Sequence, residues 1–235
     1  MANRLPRIKV CGVTRLGDLG MLAEAGVDAV GINLVPSSPR CVDASLARKL
    51  STRANELGLT RVAVVMNPTI ESLRILLSCN QYDFIQLHGV ERPELLVEAA
   101  EGTGPVEKLP GIIKALSWSG REEERELARH WQQYRVRGMF PLLSALLIDA
   151  YAPAQGGGTG RIARWDLIFP RPIELEHVPL ILAGGLTAAN VESAIAATHP
   201  LGVDTASGVE ESPGLKSVVE CRQFASNATA ALRGT

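Results

Sequence analysis

Aromatic side chains make up only 4% of the 235 residues, too few for the stacking platforms that bind single-stranded nucleic acid. Neither sign of charge is in excess. With 24 Lys plus Arg against 25 Asp plus Glu the net charge is -1, which offers a polyanion no electrostatic footprint. No apolar run approaches the roughly 20 residues a membrane-crossing helix needs, and residues 1–10 are too short and polar for a secretory signal. Cysteine is scarce: Cys11, Cys41, Cys79 and Cys221 lie far apart, without C-x-x-C spacing or a companion histidine, so no zinc knuckle or disulfide framework is expected. The phosphate-binding signatures G-x-G-x-x-G and G-x-x-x-x-G-K-S/T are also missing. These absences leave a cytoplasmic protein with a small-molecule partner as the expectation, with no metal, nucleic acid or membrane and no set oligomeric state.

What the chain does have is glycine (22), proline (14) and 46% hydrophobic residues, enough for a core without staples. Short apolar, β-branched runs occur at 7–13, 29–35, 61–67, 84–89, 111–117, 145–150, 179–185 and 202–208. Between them, 19–25, 45–57, 70–79, 94–101, 122–134, 189–198 and 215–231 carry apolar residues at helical spacing. The link before the seventh strand is the weakest, a short helix over 164–169 before the breakers Pro170 and Pro172. Strands that are apolar throughout belong to parallel sheets covered by helices, and eight such units predict a closed (β/α)8 barrel over 1–235 as a single domain. The stretch 120–143 exceeds a minimal crossover and is expected to enlarge the fifth unit at the periphery, with the charge run 121–126 facing water. An open doubly wound sheet is the rival, but it needs a glycine-rich turn after its first strand, where Cys11-Gly12-Val13-Thr14-Arg15 stands instead.

A barrel keeps its chemistry at the carboxyl ends of its strands, which selects Cys11, Asn33, the turn Ser37-Ser38-Pro39-Arg40, His88 and Asp149 by position. The glycine clusters 156–160, Gly184-Gly185 and Ser207-Gly208 complete the set, and backbone N–H groups converging at such turns suit a phosphate. A single glycine there is more often steric than functional; three clusters favour an anion site. Asp149, with apolar residues beneath it, is placed to donate a proton. Cys11 becomes a base or nucleophile if positive charge lowers its pKa, and Lys9 lies on the same side of the pleat. The other cysteines read as small buried hydrophobes, His88 reads equally as a structural or a substrate-contacting group, and His130, His177 and His199 receive no role. Arg40 reads as a carboxylate fork or a solvated charge.

The segments 9–15, Gly31 to Arg40, Gln86-Leu87-His88-Gly89, Ile148-Asp149-Ala150, Gly157-Gly158-Thr159-Gly160, Leu182 to Thr187 with Asn190, and Asp204 with Ser207-Gly208-Val209-Glu210 together resemble phosphoribosylanthranilate isomerase, a TIM-barrel family of tryptophan biosynthesis. The resemblance spans Lys9 to about Lys216. It implies a cofactor-free Amadori rearrangement of a phosphorylated aminoaldose to an aminoketone. By that resemblance Asp149 is the general acid, Cys11 the general base and Arg40 a contact for the anthranilate moiety. Gly158, Gly184, Gly185, Ser207 and Gly208 are expected at the phosphate, and His88 and Asp204 in the pocket. Departures fall at Ile32 to Val35, where aromatics are common in the family, at Ser37 for a lysine, at Ala206 for a serine and at Ala163-Arg164. These are expected to alter the anthranilate wall and the phosphate loop.

Two other functions fit parts of the pattern. Another phosphosugar barrel enzyme would use a lysine and glutamate pair, for which Lys114 is a candidate but no glutamate is found at a strand end. A catalytically silent barrel would bind a phosphorylated metabolite without turning it over, against which the intact Cys11 and Asp149 stand.

Overall fold

A computed structural model describes residues 4–136, 143–150 and 164–234. Eight parallel strands close on themselves in sequence order: β1 (Ile8–Cys11), β2 (Ala29–Asn33), β3 (Thr60–Val65), β4 (Phe84–Leu87), β5 (Gly111–Ser117), β6 (Leu143–Asp149), β7 (Leu180–Ala183) and β8 (Gly202–Thr205). β8 closes the ring on β1, with Lys9 opposite Asp204. The expected barrel is therefore present, and each strand sits within or across the run that predicts it.

The helices are α1 (Leu16–Glu24), α2 (Ala44–Glu56), α3 (Ile70–Ser78), α4 (Pro93–Ala100), α5 (Glu122–Val136), α6 (Val191–Thr198) and α7 (Val218–Arg233). Local chemistry sets their starts. The Asp43 side chain accepts from the Leu46 N–H at 2.8 Å to cap α2, Thr69 does the same for α3, and Pro93 opens α4, where a missing N–H costs nothing.

Because side chains alternate across each strand, the sheet has two faces with different neighbours. Inward-pointing Val62, Phe84, Ile113, Ala115, Ala145, Leu147, Ile181 and Ala183 form a plug that fills the barrel, with Leu5 packed against it. Residues between them, such as Ile112, Leu116, Leu146 and Ile148, join the larger shell between sheet and helices. A full plug leaves the strands' carboxyl ends as the place where a cavity can open.

Five expectations need correction. Residues 215–217 do not open the last helix: β9 (Glu210–Ser212) and β10 (Leu215–Lys216) pair as a small antiparallel ladder, and α7 starts at Val218. The link before β7 is not one helix but two 3-10 turns, Trp165–Leu167 and Ile173–Leu175, on either side of Pro170 and Pro172, which cannot continue a helix. Within the charge run at the start of α5, Glu124 is buried rather than solvated. Its carboxylate accepts from the Ser119 N–H, the Ser119 hydroxyl and the Arg121 N–H and pairs with the Arg121 guanidinium, so it caps the helix. Cys41 is exposed, whereas Cys221 is buried as expected. Finally, a glutamate does follow a strand end: Glu91, four residues beyond β4, meets Lys114 at 2.6 Å. That pair lies on the outer face of the sheet, because Lys114 alternates with the inward Ile113 and Ala115. It clamps the β4–α4 loop, with Lys114 donating to the Leu87 and Gly89 carbonyls and Glu91 accepting from the Asn67 and Gly89 N–H groups. Among the described residues no helix is long and apolar enough to cross a membrane.

Candidate active site

A cavity of about 580 Å³ opens at the carboxyl ends of the strands. Cys11, at the end of β1, and Asp149, at the end of β6, both line it although 138 positions separate them along the chain. Round the ring, only β7 and β8 stand between those two strands. Arg40, His88, Gly184, Gly185, Asp204, Ser207 and Gly208 line the same cavity, so these site residues expected from sequence come together. Gly158 and its glycine cluster at 156–160 lie outside the described residues. Of the departures noted in sequence, Asn33, Val35, Ser37 and Ala206 face the cavity, whereas Ile32 and Leu34 turn into the core outside the barrel and Arg164 is exposed away from it.

Cys11 is almost fully buried beside Gly31, its register partner on β2. A Cβ at position 31 would lie 2.7 Å from the Cys11 sulfur, so the glycine makes room for the thiol. Two residues back on the same face, Lys9 is wholly buried and its ammonium meets the Asp204 carboxylate at 2.9 Å. Burial pushes the Cys11 thiol above its ordinary pKa; Lys9 and Lys216 pull it down but do not overcome burial. Lys9, the cation expected from sequence, is thus in place with Lys216 beside it, yet the net direction is upward, so the lowering on which a base role was conditional is not met by these cations alone. Lys9 itself loses by burial and gains more from Asp204 and Cys11, so it is held charged.

His88 extends the polar side of the cavity. Burial lowers its pKa against the pull of Asp149 and Asp204, which keeps the ring neutral. The side-chain amide of Gln86 lies 2.9 Å from Nδ1 and holds the ring in orientation. A neutral imidazole carries one N–H donor and one acceptor nitrogen.

Between the ends of β6 and β1, the loops after β7 and β8 form a close-packed rim. Gly184 and Gly185 have φ of +96° and +66°, a left-handed conformation that other residues adopt at a cost. The β8 loop turns through Ser207–Val209, and a Cβ on Gly208 would collide with the Leu186 carbonyl of the β7 loop. The Thr205 hydroxyl donates to that same carbonyl at 2.7 Å, locking the two loops together. A rim made of backbone at this density is suited to an anion such as phosphate.

On the third side stands Arg40, whose backbone N–H donates to the Ser38 hydroxyl within the turn. Its stem crosses Gly12, where φ is +74° and a Cβ would strike the arginine. Its guanidinium is engaged by Glu210: Nε reaches Oε1 at 2.9 Å and Nη2 reaches Oε2 at 2.6 Å. Lys216 holds the same carboxylate at 2.7 Å and donates to the Cys11 carbonyl at 2.6 Å. Sequence reasoning found Glu210 only as part of a motif, named Lys9 and Asp204 separately without seeing that they pair, and missed Lys216. A charged residue inside an otherwise apolar strand was the available signal that Lys9 needs a partner, because such groups are buried only when paired. Among the described residues no group of three or more His, Cys, Asp and Glu is arranged to hold a metal.

Known proteins share both sequence and architecture with this chain. A family model for N-(5'phosphoribosyl)anthranilate (PRA) isomerase matches residues 8–227. The N-(5'-phosphoribosyl)anthranilate isomerase of Myxococcus xanthus is 40% identical over 218 residues, which cover 93% of each chain. The enzyme of that name from Pelobacter propionicus is 34% identical over 224 residues with the same coverage. A crystal structure of phosphoribosyl anthranilate isomerase from Thermotoga maritima matches 96% of this chain and 100% of its own, with a TM-score of 0.77 at 34% identity. A second structure of phosphoribosyl anthranilate isomerase, in complex with reduced 1-(o-carboxyphenylamino)-1-deoxyribulose 5-phosphate, gives 0.74 at 32% identity with the same coverage. With nearly its whole length matched in sequence and in fold, the chain belongs to the N-(5'-phosphoribosyl)anthranilate isomerase family.

Proposed function

We propose that the chain isomerises N-(5'-phosphoribosyl)anthranilate to the 1-deoxyribulose 5-phosphate aminoketone, with Asp149 as general acid and Cys11 as general base. The observation that carries this reading is the opening of both side chains, from β1 and β6, into one cavity that also holds Arg40 and the two glycine loops. The phosphate is assigned to Gly184, Gly185, Ser207 and Gly208, and to Gly158 by family resemblance. The anthranilate is assigned to the side of Arg40.

In the first step Asp149 gives its proton to the furanose ring oxygen, the C1–O bond breaks, and the nitrogen lone pair forms C1=N. The product is an open-chain, protonated Schiff base. In the second step Cys11 takes the proton from C2, and the C–H electrons form C1=C2 as the iminium charge is neutralised. Protonation at C1 and loss of the 2-hydroxyl proton then give the ketone. The raised pKa of Cys11 is compatible with this order of events. A cationic Schiff base beside the thiol adds positive charge to that of Lys9 and lowers its pKa when the base is needed. His88, held neutral, is assigned a hydrogen bond to the sugar, and the phosphate anchor supplies binding energy that aligns C2 and the ring oxygen. The family match over 8–227 supports reading 1–235 as one barrel domain, with α5 as the described part of the enlargement around 120–143.

Loss of the substrate's fluorescence tests the reading directly. The parent chain should turn over N-(5'-phosphoribosyl)anthranilate, and Cys11→Ala or Asp149→Asn should each lower kcat by about 10²-fold or more. Binding of the reduced product without turnover in the parent would replace the enzyme with a silent binding barrel. Full activity in either variant would remove the role given to that residue.

A further inference from the structure

Arg40 has two edges that can receive a carboxylate, the side formed by Nε and Nη2 and the end formed by Nη1 and Nη2. Glu210 occupies the first: Nε lies 2.9 and 3.1 Å from its two oxygens and Nη2 lies 2.6 Å from Oε2. The Arg40 side chain is 19% exposed and the Glu210 side chain 3% exposed, so the pair meets beneath the cavity wall while the arginine still reaches its surface. Lys216, fully buried, holds Glu210 from the other side at 2.7 Å. It also donates to the carbonyls of Cys11 at 2.6 Å and Ala206 at 3.3 Å. The Gly214 N–H adds a further bond to Glu210 at 3.2 Å.

This arrangement does two things. It fixes the Nε edge of Arg40 inward, and it divides one negative charge between two cations, so Arg40 is not neutralised by its partner. Burial works against the charged form of Glu210, but Arg40 and Lys216 outweigh it and hold the carboxyl below its ordinary value. Asp18 on α1 is another carboxyl near Lys216, and burial pushes it up toward its neutral form against the pull of Arg15. The ladder of β9 and β10 sets Lys216 opposite Glu210 and so brings the lysine to the carboxylate that Arg40 holds.

We propose that Glu210 is a specificity-determining positioning residue: by occupying the Nε edge of Arg40, braced by Lys216, it presents the Nη1–Nη2 end of the guanidinium to the carboxylate of the anthranilate ring. The inference rests on the function proposed above and adds the recognition geometry for the aromatic acid. Through Lys216 the same brace joins the ring-binding side to the backbone of Cys11 and to the β8 phosphate loop.

The test compares two ligands on two proteins. Glu210→Gln keeps the volume but sets an amide NH2 against either Arg40 or Lys216, both donors. Reduced 1-(o-carboxyphenylamino)-1-deoxyribulose 5-phosphate should bind this variant about tenfold or more weaker than the parent, the scale of a misdirected charged hydrogen bond. The phenylamino analogue, which lacks the carboxylate, should bind both proteins within about twofold. Equal weakening of both ligands, or of neither, overturns the proposal. The parent alone supplies a second measurement that does not depend on the variant folding. In a crystal of its complex with the carboxylate-bearing ligand, the carboxylate should lie on the Nη1–Nη2 end with Glu210 still on Nε; a carboxylate on the Nε edge with Glu210 displaced overturns it. A parent that neither turns over the aminoaldose nor binds its reduced product would overturn the proposed function and this inference with it. Normal turnover without ligand discrimination overturns this inference alone.

Discussion

Gly31 shows how much a single missing side chain contributes to the site. Its position opposite Cys11 on β2 would put a Cβ 2.7 Å from the sulfur and 3.0 Å from the Cys11 Cα, and no flexible side chain is there to yield. Cys11 is almost fully buried beside Lys9 and Asp204, so the added methyl is accommodated only by shifting the thiol from its place at the cavity. Gly31→Ala should therefore displace the base while leaving the loops 184–186 and 205–208 in place. The expected outcome is a fall in kcat of about 10- to 100-fold, the scale of a misplacement near 1 Å, with inhibition by inorganic phosphate unchanged. Steady-state kinetics with phosphate as competitor checks this. Parent-level kcat in a folded Gly31→Ala protein would mean that the thiol's position over residue 31 is not tied to the reaction.

At the scale of elements, Glu124 ties the β5–α5 connection together. Its carboxylate gathers the Ser119 and Arg121 N–H groups, the Ser119 hydroxyl and the Arg121 guanidinium at the start of α5. Burial alone would raise its pKa; the Ser119 N–H and Arg121 reverse that and hold the carboxyl below the ordinary range. A carboxyl whose pKa is lower folded than unfolded stabilises the fold above the unfolded value, about 4.3 for glutamate, and loses that contribution as pH falls through the folded value. Glu124→Gln should thus cost about 1 kcal/mol at neutral pH, the usual scale of a lost cap, and the difference from the parent should shrink below about pH 4. Denaturant titrations of both proteins at several pH values measure it, and a gap that stays constant down to pH 3 would show that the charge on Glu124 contributes nothing.

The same element shows what sequence could and could not reveal. The eight strands were legible because a parallel sheet buried on both faces leaves runs such as Leu146-Leu147-Ile148 with no polar interruption. Cys11, His88 and Asp149 were legible because each ends such a run. Glu124 was not, since its neighbours in 121–126 make it look like one more solvated charge, and only the turn at Gly120, where φ is +83°, folds Ser119 back onto it. Glu91 was hidden in the same way: four positions beyond β4, it is brought to Lys114 by a loop whose path no periodicity encodes. The β9–β10 ladder escaped because its strands are three and two residues long, below the length at which alternation can be read.

For the whole molecule, the seam between β1 and β8 decides whether the barrel closes, and the Lys9–Asp204 pair sits on it in register. Both groups are buried, Lys9 completely, in a barrel interior whose plug is mostly apolar. A buried ion pair adds little over a well-packed apolar pair, because desolvating two charges consumes most of their attraction, but removing one partner strands the other. Lys9→Met should therefore destabilise the fold by about 3–5 kcal/mol, whereas Lys9→Met with Asp204→Val should recover most of that loss. The double variant separates stability from chemistry. It restores closure of the seam without restoring the positive charge that pulls the Cys11 thiol down or the carboxyl that faces the cavity, so its kcat should remain low while its denaturation midpoint returns toward the parent's. Equilibrium denaturation read beside turnover provides both numbers. If Lys9→Met alone is as stable as the parent, the pair does not govern closure; if the double variant recovers activity together with stability, the charge at position 9 serves the fold and not the thiol.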